Sequence, residues 1–272
     1  MKSFIVNLKD EYKVNGGELE CILIEKPLDS GEFTRPALLV LPGGGYYSTS
    51  RREGESVATA FLARGYQTFI LHYACRKENE FYPEPILEYA SAVDYIKKHA
   101  KEFHVNPNEV FVVGFSAGGH LAGSLPCMKD EIKELKGLDT SLKGMGLCYP
   151  VISEEFGHEE SFDNLLAPLD KDEQNRLKDR LSLHKRVDKN TPSTFIWTTS
   201  KDSNVPCQNS LAYAMALANA KVEYELHIYK EGDHGLSTCD YEVNNLGNNV
   251  KENGVWVEDM AKFFRSLAKE KF

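Results

Sequence analysis

Residues 110–122 read VFVVGFSAGGHLA, and this stretch decides the fold. Four apolar residues typical of a buried strand run directly into Gly114-Phe115-Ser116-Ala117-Gly118, after which small residues can open a helix. A strand, a sharp turn and a helix around G-x-S-x-G form a nucleophile elbow, which lifts the serine hydroxyl clear of the sheet. Glycines suit the turn because they bring no side chain against the neighbouring strand and helix. The stretch predicts Ser116 as a nucleophile; a glycine-rich turn without chemistry is the alternative.

Short apolar runs alternate with helical patterns on both sides of this stretch. The sequence predicts strands at residues 4–8, 19–25, 37–41, 67–73, 110–114, 144–149, 194–199 and 224–229. It predicts helices at residues 57–64, 86–102 and 255–268, and one that begins near Ala117. Uninterrupted apolar strands separated by amphipathic helices are typical of a mostly parallel sheet with helices on both faces. We therefore expect a doubly wound α/β architecture with the active site at the carboxyl ends of the strands.

One segment interrupts this alternation. No repeat or Pro/Ser-rich linker divides the chain, so residues 1–272 are interpreted as one domain. Residues 153–190 are strongly polar, with a helical stretch near residues 172–184, and are too long for an ordinary loop. We expect a small helical cap or lid there, lining the substrate pocket together with Tyr46 and Tyr47. The alternative is that residues 153–190 form a solvated helical segment with no role at the site and that the two tyrosines are surface aromatics.

The loop LPGGGY at residues 41–46 follows a predicted strand. Serine attack on an ester produces an oxyanion, and N–H groups aimed at it lower the barrier. We expect the backbone N–H of Ala117 to supply one donor, and that of Gly44 or Gly45 to supply the second. A flexible hairpin or a phosphate-binding loop is the alternative, but no Lys-Ser/Thr pair follows and G-x-G-x-x-G is absent.

A base and an acid must follow the nucleophile in the order Ser, Asp/Glu, His. His234 lies in the loop after the last predicted strand, and Asp202 follows the strand before it. The sequence therefore predicts a Ser116–Asp202–His234 triad, with Asp233 as the rival acid. The remaining histidines are interpreted as structural or solvated: His72, His99, His104, His120, His158, His184 and His227.

Composition excludes several classes of protein. The net charge is −9 and no run of five or six like charges occurs, which argues against nucleic acid and anionic membranes as partners. The six cysteines are scattered without metal-ligand spacing, so reduced thiols and no metal are expected. The first residues turn polar too soon for a signal peptide, and no apolar stretch approaches the roughly 18–20 residues of a membrane span. A cytoplasmic protein is expected; a homodimer is among the assemblies left open.

From about residue 36 to the last helix, the chain resembles bacterial esterases related to hormone-sensitive lipase and to acetylxylan and feruloyl esterases. The branch in question is often labelled xylanase B. The motifs that carry the resemblance are PGGGY at 42–46, REGE at 52–55, GFSAGGHL at 114–121, SFDNLL at 161–166, TP at 191–192, DSNVP at 202–206 and GDHGL at 232–236.

The resemblance implies an α/β-hydrolase fold and a serine carboxylesterase without a cofactor. Its expected reaction is the removal of acetyl groups from small acylated sugars such as xylo-oligosaccharides. Two alternatives remain. The first is another hydrolase of this fold, such as a peptidase, an arylformamidase or a dienelactone hydrolase. Dienelactone hydrolases normally carry cysteine in place of Ser116. A non-enzymatic receptor is the other, although such proteins typically lose a triad residue.

Overall fold

A computed structural model describes residues 1–27, 31–128, 130–244 and 250–268. Within these ranges the strands are β1 (Lys2–Asn7), β2 (Glu18–Leu23), β3 (Arg35–Leu41), β4 (Gln67–His72), β5 (Val105–Phe115), β6 (Gly144–Cys148), β7 (Thr194–Thr199) and β8 (Tyr224–Tyr229). They form one sheet in the order β1-β2-β4-β3-β5-β6-β7-β8. The pairs β1–β2 and β2–β4 are antiparallel, and all later pairs are parallel. The predicted mostly parallel sheet is confirmed, with β5 starting earlier than expected.

The described helices are α1 (Glu55–Leu62), α2 (Glu84–Lys98), α3 (Ala100–Phe103), α4 (Ala117–Met128), α5 (Glu159–Leu165), α6 (Lys171–Arg180), α7 (Gln208–Ala220) and α8 (Trp256–Leu267). The single helix predicted at residues 86–102 is divided into α2 and α3. The break falls at His99, whose backbone (φ −97°, ψ 14°) leaves the helical region. None of the described helices is long and apolar enough to cross a membrane.

Successive residues of the central strands point to opposite faces of the sheet. Leu39 and Val112 pack into a core with residues of α2, α4 and α7, whereas Leu38 and Phe111 pack into a second core with residues of α1 and α8. All four side chains are fully buried. Because both faces are covered, the strands carry uninterrupted apolar runs, and this is why the sequence showed them without alternation.

Residues 153–190 connect β6 to β7 and contain α5 and α6. Helix α5 was not predicted, because its sequence EESFDNL is largely polar. Leu165, Leu177 and Leu181 attach this segment to the same core as α2, α4 and α7. The segment therefore packs onto the body of the molecule through apolar contacts, and its residues near 157–158 lie close to the loops that follow β7 and β8.

Candidate active site

Ser116 occupies a sharp turn between β5 and α4. Its backbone has φ 52°, a left-handed conformation that costs energy for any residue with a Cβ atom. A Cβ at Gly114 would lie 2.2 Å from the carbonyl oxygen of Gly118, and one at Gly118 would lie 2.2 Å from that of Leu41. Side chains are thus excluded on both sides of the serine, as the elbow requires.

The structure brings Ser116, Asp202 and His234 together. His234 Nε2 lies 2.8 Å from Ser116 Oγ, and His234 Nδ1 lies 2.7 Å from Asp202 Oδ2. The other carboxylate oxygen of Asp202 accepts the backbone N–H groups of Asn204 at 3.0 Å and Val205 at 2.8 Å. These bonds fix the carboxylate, so that it can hold the imidazole with Nε2 facing the serine.

Asp233 has a different environment. Its Oδ1 accepts bonds from the backbone N–H and the hydroxyl of Ser203 and from the N–H of His234. These hydrogen bonds lower the pKa of the Asp233 carboxyl. No hydrogen bond joins Asp233 to the His234 imidazole in the part of the chain that the structure describes. The acid beside the imidazole is therefore Asp202.

The glycine loop after β3 presents free donors next to Ser116. Gly44 has φ 135° and Gly45 has φ 62°, and both line the same cavity as the serine. A Cβ at Gly44 would lie 1.9 Å from the carbonyl oxygen of Ser48, so glycine is required there. Within the described ranges, the N–H groups of Gly44, Gly45 and Ala117 make no hydrogen bond. They are available to an oxyanion formed on an ester bound at Ser116.

Comparisons with known proteins identify the family of this chain. Residues 24–147 match the family model BD-FAE, and residues 152–270 match that of the prolyl oligopeptidase family. An acetyl ester-xyloside bifunctional hydrolase from Caldicellulosiruptor lactoaceticus is 31% identical, with a TM-score of 0.81 over 97% of this chain and 96% of that chain. The chain belongs to the α/β-hydrolase family.

Two curated relatives of this α/β-hydrolase agree with the predicted branch. Endo-1,4-beta-xylanase B of Butyrivibrio fibrisolvens is 34% identical over 79% of this chain and 34% of its own length. Acetylxylan esterase of Xylanibacter ruminicola is 29% identical over 98% of this chain and 51% of its own length. The chain thus spans about half, or less, of the curated relatives it matches. The resemblance to the acetylxylan-esterase-like branch, including proteins labelled xylanase B, is confirmed.

The prediction that Tyr46 lines the pocket is corrected by the structure. It is 2% exposed, and its hydroxyl lies 2.8 Å from Nδ1 of the buried His120. Its backbone has φ 55°, and its side chain packs in the core and does not line the cavity. His120 Nε2 donates to the carbonyl oxygen of Leu181 at 2.9 Å, so Nδ1 accepts from Tyr46. Tyr47 is exposed and lies outside the residues that line the cavity.

The cavity at Ser116 has a volume of about 300 Å³, and five of the residues that line it were not individually predicted as site residues. It is lined by Gly44, Gly45, Ser50, Glu53, Ser116, His158, Glu160, His234 and Gly235. His158 had been interpreted as structural or solvated; instead, its ring centre lies 6.2 Å from that of His234. Burial and the neighbouring His234 lower the pKa of His158.

Glu53 is another cavity residue that was not predicted. It is 4% exposed and accepts the N–H of Gly43 at 2.8 Å and the hydroxyl of Tyr149 at 2.6 Å. Burial raises the pKa of Glu53, and these two hydrogen bonds oppose that rise. Its only sequence signal was the REGE motif at residues 52–55, which looks like a solvated charged run. Among the described residues, no cluster of three or more His, Cys, Asp or Glu could hold a metal ion.

Proposed function

We propose that this α/β-hydrolase is a serine carboxylesterase that removes acetyl groups from small acylated sugars such as xylo-oligosaccharides. The observation that carries the proposal is the hydrogen-bonded chain from Asp202 through His234 to Ser116, with distances of 2.7 and 2.8 Å. An alkoxide-forming serine, an oriented imidazole and free N–H donors are the parts that acyl transfer needs.

In the first step, His234 Nε2 takes the proton of the Ser116 hydroxyl as Oγ attacks the ester carbonyl carbon. The oxyanion accepts the N–H of Ala117 and that of Gly44 or Gly45. Asp202 accepts the Nδ1–H of His234 and stabilises the imidazolium. One such preset oxyanion donor lowers the barrier by on the order of 3 kcal/mol.

In the second step, the tetrahedral intermediate collapses and the alcohol leaves with the proton held on His234 Nε2. A water molecule then attacks the acyl-enzyme, giving its proton to His234. The second oxyanion collapses, Ser116 recovers its proton, and the carboxylic acid leaves.

The character of the cavity supports a short acyl group and a polar alcohol. The cavity is about 300 Å³, and no large aliphatic side chain lines it in the described part of the chain. The names of the relatives point the same way, because one is an acetylxylan esterase and another an acetyl ester-xyloside hydrolase. Residues 153–190 supply His158 and Glu160 to this cavity. We therefore also propose that this segment acts as its cap.

The experiment compares wild type and Ser116→Ala on p-nitrophenyl acetate, butyrate and octanoate and on acetylated xylo-oligosaccharide. Wild type should prefer acetate and release it from the sugar. Removing the serine should reduce kcat on the order of a million-fold. Ser203→Ala is the matched control and should retain activity. Activity that survives Ser116→Ala would refute the assigned nucleophile.

A peptidase is the second candidate, because residues 152–270 match the prolyl oligopeptidase family model. The same chemistry would then act on an amide, whose leaving nitrogen also takes its proton from His234. Aminoacyl and prolyl p-nitroanilides run beside the esters distinguish the two. Faster turnover of an anilide than of acetylated sugar would favour the peptidase.

A further inference from the structure

His158 lies close to the atom that protonates the leaving group. Because His234 Nε2 must protonate the departing alcohol oxygen, a side chain beside the His234 ring is within reach of the alcohol portion of an ester bound at Ser116. His158 is such a side chain, with its ring centre 6.2 Å from that of His234. On its other side, His158 Cε1 lies 4.0 Å from where a Cβ at Gly45 would be. Its ring therefore stands between the base and the oxyanion loop.

The His158 ring is held in place. Its Nδ1 is hydrogen-bonded to Ser161 Oγ at 3.0 Å, and Ser161 is 1% exposed. Its backbone adopts φ 65° immediately before α5, a left-handed conformation that costs energy for a residue with a Cβ atom. Further along α5, Asn164 Nδ2 donates to the carbonyl oxygen of Gly45 at 2.9 Å. These contacts fix the ring relative to the oxyanion loop.

The second ring nitrogen is left without a partner. Within residues 1–27, 31–128, 130–244 and 250–268, Nε2 of His158 makes no hydrogen bond, while the side chain lines the cavity. The lowered pKa of His158 keeps the imidazole neutral near pH 7, so Nε2 offers one donor or one acceptor. A hydroxyl group can satisfy either form, because it both donates and accepts.

We propose that His158 is a substrate-binding residue of the leaving-alcohol subsite and that it hydrogen-bonds a hydroxyl on the carbon next to the ester-bearing carbon. The substrate class would then be acyl esters of polyols and sugars with a free neighbouring hydroxyl. The inference rests on the proposed esterase function and adds to it the residue that selects the alcohol.

The test uses two acetates that differ only at that hydroxyl, 2-hydroxyethyl acetate and 2-methoxyethyl acetate, with p-nitrophenyl acetate as a substrate that has no such group. Wild type should have the higher kcat/KM on the hydroxyethyl ester. His158→Phe keeps a ring but no nitrogen, and should lower that preference by about tenfold, the effect of one lost hydrogen bond. The loss of kcat/KM should be about tenfold larger on 2-hydroxyethyl acetate than on p-nitrophenyl acetate.

Two further variants complete the experiment. His158→Gln restores a polar group close to the Nε2 position and should recover part of the preference. His184→Gln replaces a histidine of the same segment that packs on Phe156 outside the cavity lining, and should leave the preference unchanged. Thermal melts and labelling of Ser116 by a fluorophosphonate probe verify that each variant is folded.

An unchanged preference in His158→Phe would overturn this inference alone, as would an equal loss on all three acetates. A wild type that hydrolyses no ester and whose Ser116 resists the probe would overturn the proposed function and this inference with it.

Discussion

Tyr149 donates a 2.6 Å hydrogen bond from its hydroxyl to Glu53 in the buried wall of the active-site cavity. The same hydroxyl accepts the backbone N–H of Ser237 at 2.9 Å, and the Tyr149 ring centre lies 5.0 Å from that of His234. The second oxygen of Glu53 accepts the N–H of Gly43. This pair therefore joins the oxyanion loop to the loop that carries the base.

We expect Glu53→Gln to lower kcat by about ten- to hundredfold while KM changes by less than about threefold. A carboxylate accepts both hydrogen bonds, whereas an amide turns its NH₂ toward one of the two donors. Kinetics on p-nitrophenyl acetate and urea unfolding measure the two effects separately. Glu55→Gln is the matched control, because Glu55 pairs with Arg51 on the surface. A variant that loses stability but keeps its kcat would make Glu53 purely structural.

The same substitution at Asp202 and at Asp233 distinguishes the roles of the two carboxylates. Asp202→Asn should reduce kcat by about 10⁴-fold, because the amide disfavours the tautomer in which Nε2 faces Ser116. Asp233→Asn retains an acceptor oxygen for Ser203 and should change kcat by less than about tenfold. Steady-state kinetics on p-nitrophenyl acetate provide the comparison. A larger loss of kcat in Asp233→Asn than in Asp202→Asn would show that Asp233, and not Asp202, orients the imidazole.

The bond from Asn164 to the carbonyl oxygen of Gly45 positions the oxyanion loop. Arg76 in turn donates to Asn164 Oδ1 at 2.8 Å. A well-placed oxyanion donor stabilises the transition state by on the order of 3 kcal/mol. Asn164→Ala should displace the donor only partly, so we expect kcat to fall by about tenfold. Asn190→Ala changes an exposed asparagine of the same segment and should leave kcat unchanged. Equal kcat values in the two variants would contradict a role of α5 in holding the loop.

The parts that the sequence predicted are those with local signals. The central strands are continuous apolar runs. Ser116 follows β5 directly, and Asp202 and His234 lie in the loops after β7 and β8, so the ends of these strands place all three at one end of the sheet. The steric requirement for glycine at 114 and 118 is likewise local and visible in the motif.

The parts that were missed depend on contacts between distant residues. Glu53 and Tyr149 are 96 positions apart, and nothing in REGE reveals that the first glutamate is buried. His158 reaches the cavity only because α5 docks on the glycine loop. The place of Tyr46 in the chain suggested a pocket residue, but its hydroxyl bonds the buried His120, a contact between residues far apart in the sequence.

His120 leads to a prediction about stability and pH. It is fully buried between Tyr46 and Leu181, and burial lowers its pKa to about 4. In the unfolded chain a histidine titrates near 6.5, so below that pH the unfolded state binds a proton that the folded state refuses. The stability that comes from a neutral His120 is therefore complete above about pH 6.5 and is lost as the pH falls from there toward 4.

At pH 5 the loss should be about 2 kcal/mol in the free energy of unfolding relative to pH 7.5. His120→Gln can keep both hydrogen bonds, since its amide donates to Leu181 and accepts from Tyr46, but it does not titrate. Urea unfolding of the two proteins at both pH values isolates this contribution, because every other titrating group is common to them. Wild type should lose about 2 kcal/mol more than the variant, and equal losses would mean that His120 takes up its proton in the folded protein as readily as in the unfolded chain.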